Sequence, residues 1–220
     1  MSATVLTHHI DRLSLNPDRP LIVSDADEVL VQFARPLERF LHSRGLYLDL
    51  SSFRLSGNIR DRASDEPVAH EDVPQLIADF FDSCVADQPA VDGAAEALAR
   101  LSVRAQVVVL SNVPEAARAA REAALARLGM AFPVLANQGL KGPAVKAMAE
   151  GHAAPVVFLD DIPHNIASVA EHATHVHRIH FVADPRLAAL IGPAEQSHHR
   201  IDDWPTAARH IDDHLTRQGW

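Results

Sequence analysis

The run Leu21-Ile22-Val23-Ser24 ends in Asp25-Ala26-Asp27, and this ending constrains the fold more than any other stretch of the chain. A continuous aliphatic run bounded by polar residues reads as a strand buried on both faces, the kind found in parallel sheets. Ligands of open α/β sheets bind beyond the carboxyl ends of such strands. Two carboxylates one residue apart therefore stand where such folds carry out chemistry, and a cation offsets their mutual repulsion. The plainer alternative is an acidic turn between strand and loop.

Three further apolar runs, Ala105–Leu110, Pro155–Leu159 and Val176–Val182, read as strands by the same criteria. Helical stretches lie between the later ones: Pro114–Leu128, with proline at its start, then Pro143–Glu150 and Ile162–His172. Strands alternating with helices predict right-handed βαβ crossovers and a parallel sheet, an α/β fold of Rossmann-like type. The span from Ala34 to Gln88 breaks this rhythm. Leu37–Arg44 and Val73–Val85 read as amphipathic helices joined by the polar connection Ser51–Asp65, with no clear strand. The expected organisation is a core domain over residues 1–33 and 89–220 with a small helical domain, 34–88, inserted into it. The core resumes at Val91 with the helix Ala94–Leu101. It closes with a short strand near Arg200–Ile201 and the helix Pro205–Leu215, with Asp202 or Asp203 near its start.

The 220 residues suffice for this plan, and a formal charge of −9 without a long basic run argues against nucleic acid or an anionic membrane surface as the main partner. Cys84 is the single cysteine, so no intramolecular disulfide forms; its setting beside Phe80 and Phe81 reads as a packed thiol. No apolar run approaches the roughly 20 residues of a membrane helix. The N-terminal segment, with His8, His9, Asp11 and Arg12, has no signal-peptide core. The expectation is a cytoplasmic protein, with its oligomeric state left open. The 14 histidines read as scattered solvated or capping residues, with no compact set at zinc-ligand spacing.

The second strand ends in Ser111-Asn112, a loop holds Gly139-Leu140-Lys141-Gly142-Pro143, and a third strand ends in Asp160-Asp161, with Asn165 following. Together with Asp25 and Asp27 these supply carboxylates for Mg²⁺, a hydroxyl and a lysine for phosphoryl oxygens, and a carboxylate nucleophile. In order and context they resemble the four motifs of the haloacid dehalogenase-like (HAD) hydrolase superfamily, over nearly all of 21–182. Those motifs are an apolar strand with DxDx(T/V), matched by Asp25-Ala-Asp27-Glu-Val29, then a strand ending in Ser or Thr, a lysine near a helix start, and a strand ending in two aspartates.

The resemblance implies roles. Asp25 is the nucleophile, and Asp27 is the acid and later the base. Asp25, the backbone carbonyl of Asp27 and Asp161 hold Mg²⁺, with Asp160 either a further ligand or a supporting carboxylate. Ser111 and Lys141, with Asn112 nearby, bind the phosphoryl oxygens. Lys146, one turn on, is the weaker alternative to Lys141. Ser111 and the Asp160-Asp161 pair could also act as helix caps. The insert occupies the position of a helical cap, so Arg54, Asn58, Arg60 and Arg62 are candidates to meet an anionic substrate, or else to pair with Asp61, Asp65 and Glu66. Glu28 stands where phosphatases of this family commonly have glycine. It points either to solvent or toward the insert.

The implied activity is a Mg²⁺-dependent phosphatase acting on a small phosphorylated metabolite. The alternatives are a phosphomutase or a catalytically silent binding protein on the same fold. Dehalogenation needs neither Asp27 nor the Asp160-Asp161 pair.

Overall fold

The computed structural model describes residues 9, 10 and 12–220. His8 and Asp11 lie outside the described residues. In chain order the elements are β1 (Leu21–Ser24), α1 (Ala34–Ser43), β2 (Leu46–Leu48), β3 (Ile59–Asp61), α2 (Val73–Cys84), α3 (Ala94–Leu101), β4 (Gln106–Ser111), α4 (Glu115–Arg127) and β5 (Val134–Ala136). They continue with α5 (Gly142–Ala149), β6 (Val156–Asp160), α6 (Pro163–His172), β7 (His177–His180), α7 (Pro185–Ala188), β8 (His199–Arg200) and α8 (Trp204–Arg217).

Six strands form one parallel sheet in the order β5-β4-β1-β6-β7-β8. The chain builds outward from β1 on one side through β4 and β5, then crosses to the other side at β6. That reversal opens a crevice at the carboxyl end of β1. Alternation along the strands divides the core between the two faces. Ile22, Val107, Val109, Val157 and Ile179 pack with Leu98, Leu125, Trp204 and Ile211 on one face. Leu21, Val23, Val108 and Phe158 pack with Val145, Met148, Ile166 and Val169 on the other. Every residue of β1, β5, β6 and β7 is buried, as a doubly covered sheet requires. Ile10 joins the second cluster, with Leu13 and Leu15 packed against it, so the described part of the N-terminal segment covers the core.

The span 34–88 differs from its sequence reading. Besides α1 and α2 it contains an antiparallel pair, β2 with β3, where no strand was expected. Each strand has three residues, too few for a period-two pattern to emerge. The first helix also begins at Ala34 rather than Leu37, because its cap comes from outside the helix. Glu28 Oε1 accepts the N–H groups of Phe33 and Ala34 at 2.8 and 2.7 Å. The hydrophobic residues of this span, among them Leu37, Phe40, Ile59, Phe80 and Phe81, cluster together and with Val113 and Ala136, at the carboxyl ends of β4 and β5. Cys84 is half-buried against that cluster.

The histidines also depart from expectation. His177, His198, His199, His210 and His214 gather where β7, β8 and α8 meet. They are up to 37 residues apart in sequence, so no local spacing announces them. Among the described residues no helix is long and apolar enough to cross a membrane.

Candidate active site

Asp25 follows the last residue of β1, and Asp160 ends the neighbouring β6. The register sets Ser24 beside Leu159, and the Asp25 N–H donates to the Leu159 carbonyl at 2.9 Å. The two carboxylates are thereby adjacent. Lys141 spans them: its Nζ lies 2.6 Å from Asp25 Oδ1 and 2.7 Å from Asp160 Oδ2. Lys141 is buried and Lys146 is exposed, which separates the two candidate lysines. Asp160 uses both oxygens on protein donors, since Oδ1 accepts the Ile162 N–H at 2.9 Å and Asn165 Nδ2 at 3.0 Å. It therefore anchors Lys141 and the start of α6, while among the described residues no such set of donors meets Asp161.

The loop carrying Lys141 is fixed by packing. At Gly142 an added Cβ would stand 2.3 Å from the Ser168 carbonyl oxygen, so only glycine lets the start of α5 approach α6 this closely. Asn112 Nδ2 donates to the Gly139 carbonyl at 3.0 Å and its Oδ1 accepts from Asn137 at 2.8 Å. The structure thus uses the Asn112 amide to tie the lysine loop to the end of β4. Ser111 is buried at that strand end, and its Oγ accepts the Val113 N–H at 3.3 Å, in the turn that leads to α4.

Asp27 is held by two residues that the sequence reading missed. Arg121 Nη2 donates to its Oδ1 and Oδ2 at 2.8 and 3.1 Å, and Gln88 Nε2 donates to Oδ1 at 3.0 Å. Arg121 is fully buried, and its Nε and Nη1 have no hydrogen-bond partner among the described residues. A signal existed: Arg121 stands on the same stripe of α4 as buried Ala124 and Leu125, a charge on an apolar face. Gln88 gave no such signal.

Glu28 is buried rather than solvent-facing. Its φ of +57° is a left-handed conformation that glycine adopts without strain, and the three N–H groups that its carboxylate accepts, the third from Asp184 at 2.9 Å, compensate. It anchors the loop after β1 to α1 and to the segment before α7. Arg186 extends this tie, pairing with Glu38 of α1 at 2.8 Å and with Asp184 at 2.7 Å.

The site carries more negative than positive charge. Burial pushes the Asp25 carboxyl up to about 7, opposed by Lys141 and reinforced by Asp160 and Asp27. Burial first, then Asp160 and Asp25, raise Asp161 well above the usual carboxylate range. Burial alone would lower the Lys141 ammonium, but Asp160 and Asp25 outweigh it and raise it. Three buried carboxylates thus face one ammonium. A carboxylate oxygen from each of Asp25, Asp160 and Asp161 lies within 4.8 Å of the others. Hard oxygen donors and uncompensated negative charge fit a hard divalent cation.

Of the insert residues, Arg54 reaches the site region. It lines a cleft of about 100 Å³ together with Phe53, Leu55, Glu28, Asp161 and Leu187. Asn58 and Arg60 are engaged within the insert. Asn58 Nδ2 donates to the Ser52 carbonyl at 2.9 Å, and Arg60 Nε pairs with Asp65 at 3.1 Å. Arg62 contacts His42. A larger hollow of about 320 Å³, bordered by Glu28, Arg35 and Asp184, contains none of the site aspartates.

No protein-family model matches the sequence, and neither does any curated protein. Solved structures do match the fold. A conserved haloacid dehalogenase-like protein of unknown function from Agrobacterium tumefaciens is 19% identical, with 88% of this chain and 97% of that one covered at a TM-score of 0.59. A haloacid dehalogenase-like family hydrolase from Streptococcus pneumoniae is 9% identical, with 90% and 100% covered at 0.59. A HAD family hydrolase from Deinococcus radiodurans, solved with bound phosphate and sodium, is 16% identical, with 90% and 97% covered at 0.59. The chain thus has the fold of these haloacid dehalogenase-like structures.

Proposed function

We propose that this chain is a metal-dependent phosphatase that hydrolyses a small phosphomonoester through an aspartyl-phosphate on Asp25. One observation carries the reading: Asp25, Lys141, Asp160 and Asp161 meet at the carboxyl ends of β1 and β6, with Asp27 held beside them by Arg121. The Deinococcus structure of the same fold holds a phosphate and a cation, the pair this site would bind.

Asp25 and Asp161 would hold the ion, for which Mg²⁺ is the natural candidate, with the backbone carbonyl of Asp27 as a further donor. The ion would supply positive charge against the phosphoryl oxygens. Lys141 brings a second positive charge to the same place, anchored by Asp160, so a dianionic phosphoryl group can approach a carboxylate. An Asp25 oxygen then attacks phosphorus, and the bond from phosphorus to the ester oxygen breaks. Asp27 gives its proton to the departing oxygen. In the second half Asp27 takes a proton from water, the water oxygen attacks phosphorus, and the bond to Asp25 breaks. Phosphate leaves, and both aspartates return to their starting states. Arg121 and Gln88 are positioning residues that aim the Asp27 carboxylate. Ser111, at the end of β4, is the hydroxyl available to a phosphoryl oxygen, and Asn112 acts by holding the lysine loop.

Residues 34–88 act in this reading as a cap over the site, with Arg54 its contribution to substrate recognition. Asn58 and Arg60 shape the cap internally. A cleft of about 100 Å³ between cap and core suits a small leaving group.

Phosphate release from sugar phosphates, nucleotides, phosphoglycolate and p-nitrophenyl phosphate, with and without Mg²⁺, tests the proposal. Release that needs Mg²⁺ and disappears in Asp25→Asn is expected. No release from folded, Mg²⁺-loaded protein across the panel, or release that survives Asp25→Asn, contradicts it.

A further inference from the structure

The histidine cluster lies away from the carboxylate site. His177 is the first residue of β7 and pairs in register with Val157, three residues before Asp160. At the rise of a strand that is about 10 Å back along the sheet. Alternation turns His177 to the same face as Ile179 and Phe181, and Phe181 packs on Trp204 of α8. On that face it meets His210 and His214, one turn apart on α8, and His199, the first residue of β8. The Nε2 atoms of His177 and His210 are 2.9 Å apart. Such a contact holds at most one proton, so at least one lone pair points into the gap. A ring nitrogen from each of His177, His199 and His210 lies within 4.8 Å of the other two.

We propose that His177, His199 and His210 form a binding site for a borderline divalent transition-metal ion, best matched by Zn²⁺, separate from the carboxylate site. Imidazole nitrogens suit zinc and its neighbours, whereas Mg²⁺ takes oxygen ligands. Zinc–nitrogen bonds of about 2.0–2.1 Å place the nitrogens of a tetrahedral site about 3.3 Å apart, so small ring rotations complete the set. His199 is exposed and gives the ion a route from solvent. The rings of His214 and His198 stack on His177 at 4.0 and 4.7 Å and hold its plane. His198 is itself fixed, since its Nδ1 accepts the Arg178 N–H at 3.0 Å. An ion here would tie the two-residue edge strand β8 to β7 and to α8.

The test is a calorimetric titration of the full chain with Zn²⁺ in excess Mg²⁺, which keeps the carboxylate site supplied with its own ion. One equivalent of Zn²⁺ is expected, with a rise in Tm of the folded protein. Co²⁺ in its place should show the visible bands of a nitrogen-ligated ion. His199→Ala removes an exposed side chain without opening the core. It should weaken binding by at least the roughly 10–100-fold that even outer-shell losses cause, and His210→Asn should do the same. Asp161→Asn should leave Zn²⁺ binding unchanged. No binding by wild type, undiminished binding in both histidine variants, or loss of binding in Asp161→Asn would overturn the proposal.

Discussion

Two polar clusters lie against one sheet, and they solve the same problem in opposite ways. The carboxylates at the ends of β1 and β6 are strung on hydrogen bonds: Asp160 alone engages a lysine, a backbone N–H and an asparagine. The histidines at the start of β7 and β8 are held by ring stacking, with one nitrogen–nitrogen contact at their centre. One cluster has an excess of negative charge, and the other gathers neutral ring nitrogens with a lone pair at its centre. The two proposals give each a cation, hard in the first case and borderline in the second.

The largest expected effects fall on the carboxylate side. Asp25→Asn should lower turnover by roughly 10⁴-fold or more, as loss of a nucleophile does. Asp27→Asn should lower it by about 10²–10⁴-fold. Arg121→Leu leaves both aspartates in place but frees the acid, so a loss of roughly 10²-fold in kcat with little change in KM is expected. If Arg121→Leu instead raised KM alone, the arginine would be a substrate contact.

Stability comes next. Gly142→Ala should destabilise the protein by about 1–3 kcal/mol, measured by urea denaturation, because its Cβ collides with the Ser168 carbonyl. Kinetics of the folded fraction should also show a displaced Lys141.

The pH dependence of Tm in chelator-treated protein separates the clusters by sign. Burial raises Asp25 from 3.8 to about 7, so the folded state holds that proton more tightly, and this contribution is lost as pH rises through about 7. Burial and neighbouring imidazoles lower His177 from 6.5 to about 3 and His210 from 6.5 to about 4, so the unfolded state takes protons first, and stability is lost as pH falls below about 6.5. The two windows overlap between about pH 4 and 6.5 with opposite sign, so Asp25→Asn should make Tm rise more steeply with pH there and His210→Asn less steeply. The smallest effect belongs to Arg60→Ala. With Arg60 paired to Asp65 inside the insert, its KM should change less than roughly twofold, since such exposed pairs contribute little.

The contrast between the clusters also explains what the sequence could reveal. Strands β1, β4 and β6 are aliphatic runs ending in polar residues, so their carboxyl ends, and with them Asp25, Ser111 and Asp160-Asp161, could be read directly. Lys141 was legible because glycines and a proline mark its turn. β2, β3 and β5 have three residues each and carry no periodicity. The buried roles of Glu28 and Gln88 depend on partners far along the chain, as does the use of the Asn112 amide on Gly139. Arg121 was visible only as a charge on an apolar helix stripe. The histidine cluster is the extreme case, because its members come from β7, β8 and α8 and become neighbours only once the sheet and its last helix have packed.

The most direct measurement is a rapid-quench reaction with a turned-over phosphomonoester, followed by mass spectrometry of the protein's peptides. The account predicts one phosphoryl group on the peptide carrying Asp25, longer-lived in Asp27→Asn and absent in Asp25→Asn. Turnover without any phosphoryl group on Asp25, in wild type and in Asp27→Asn, would contradict it.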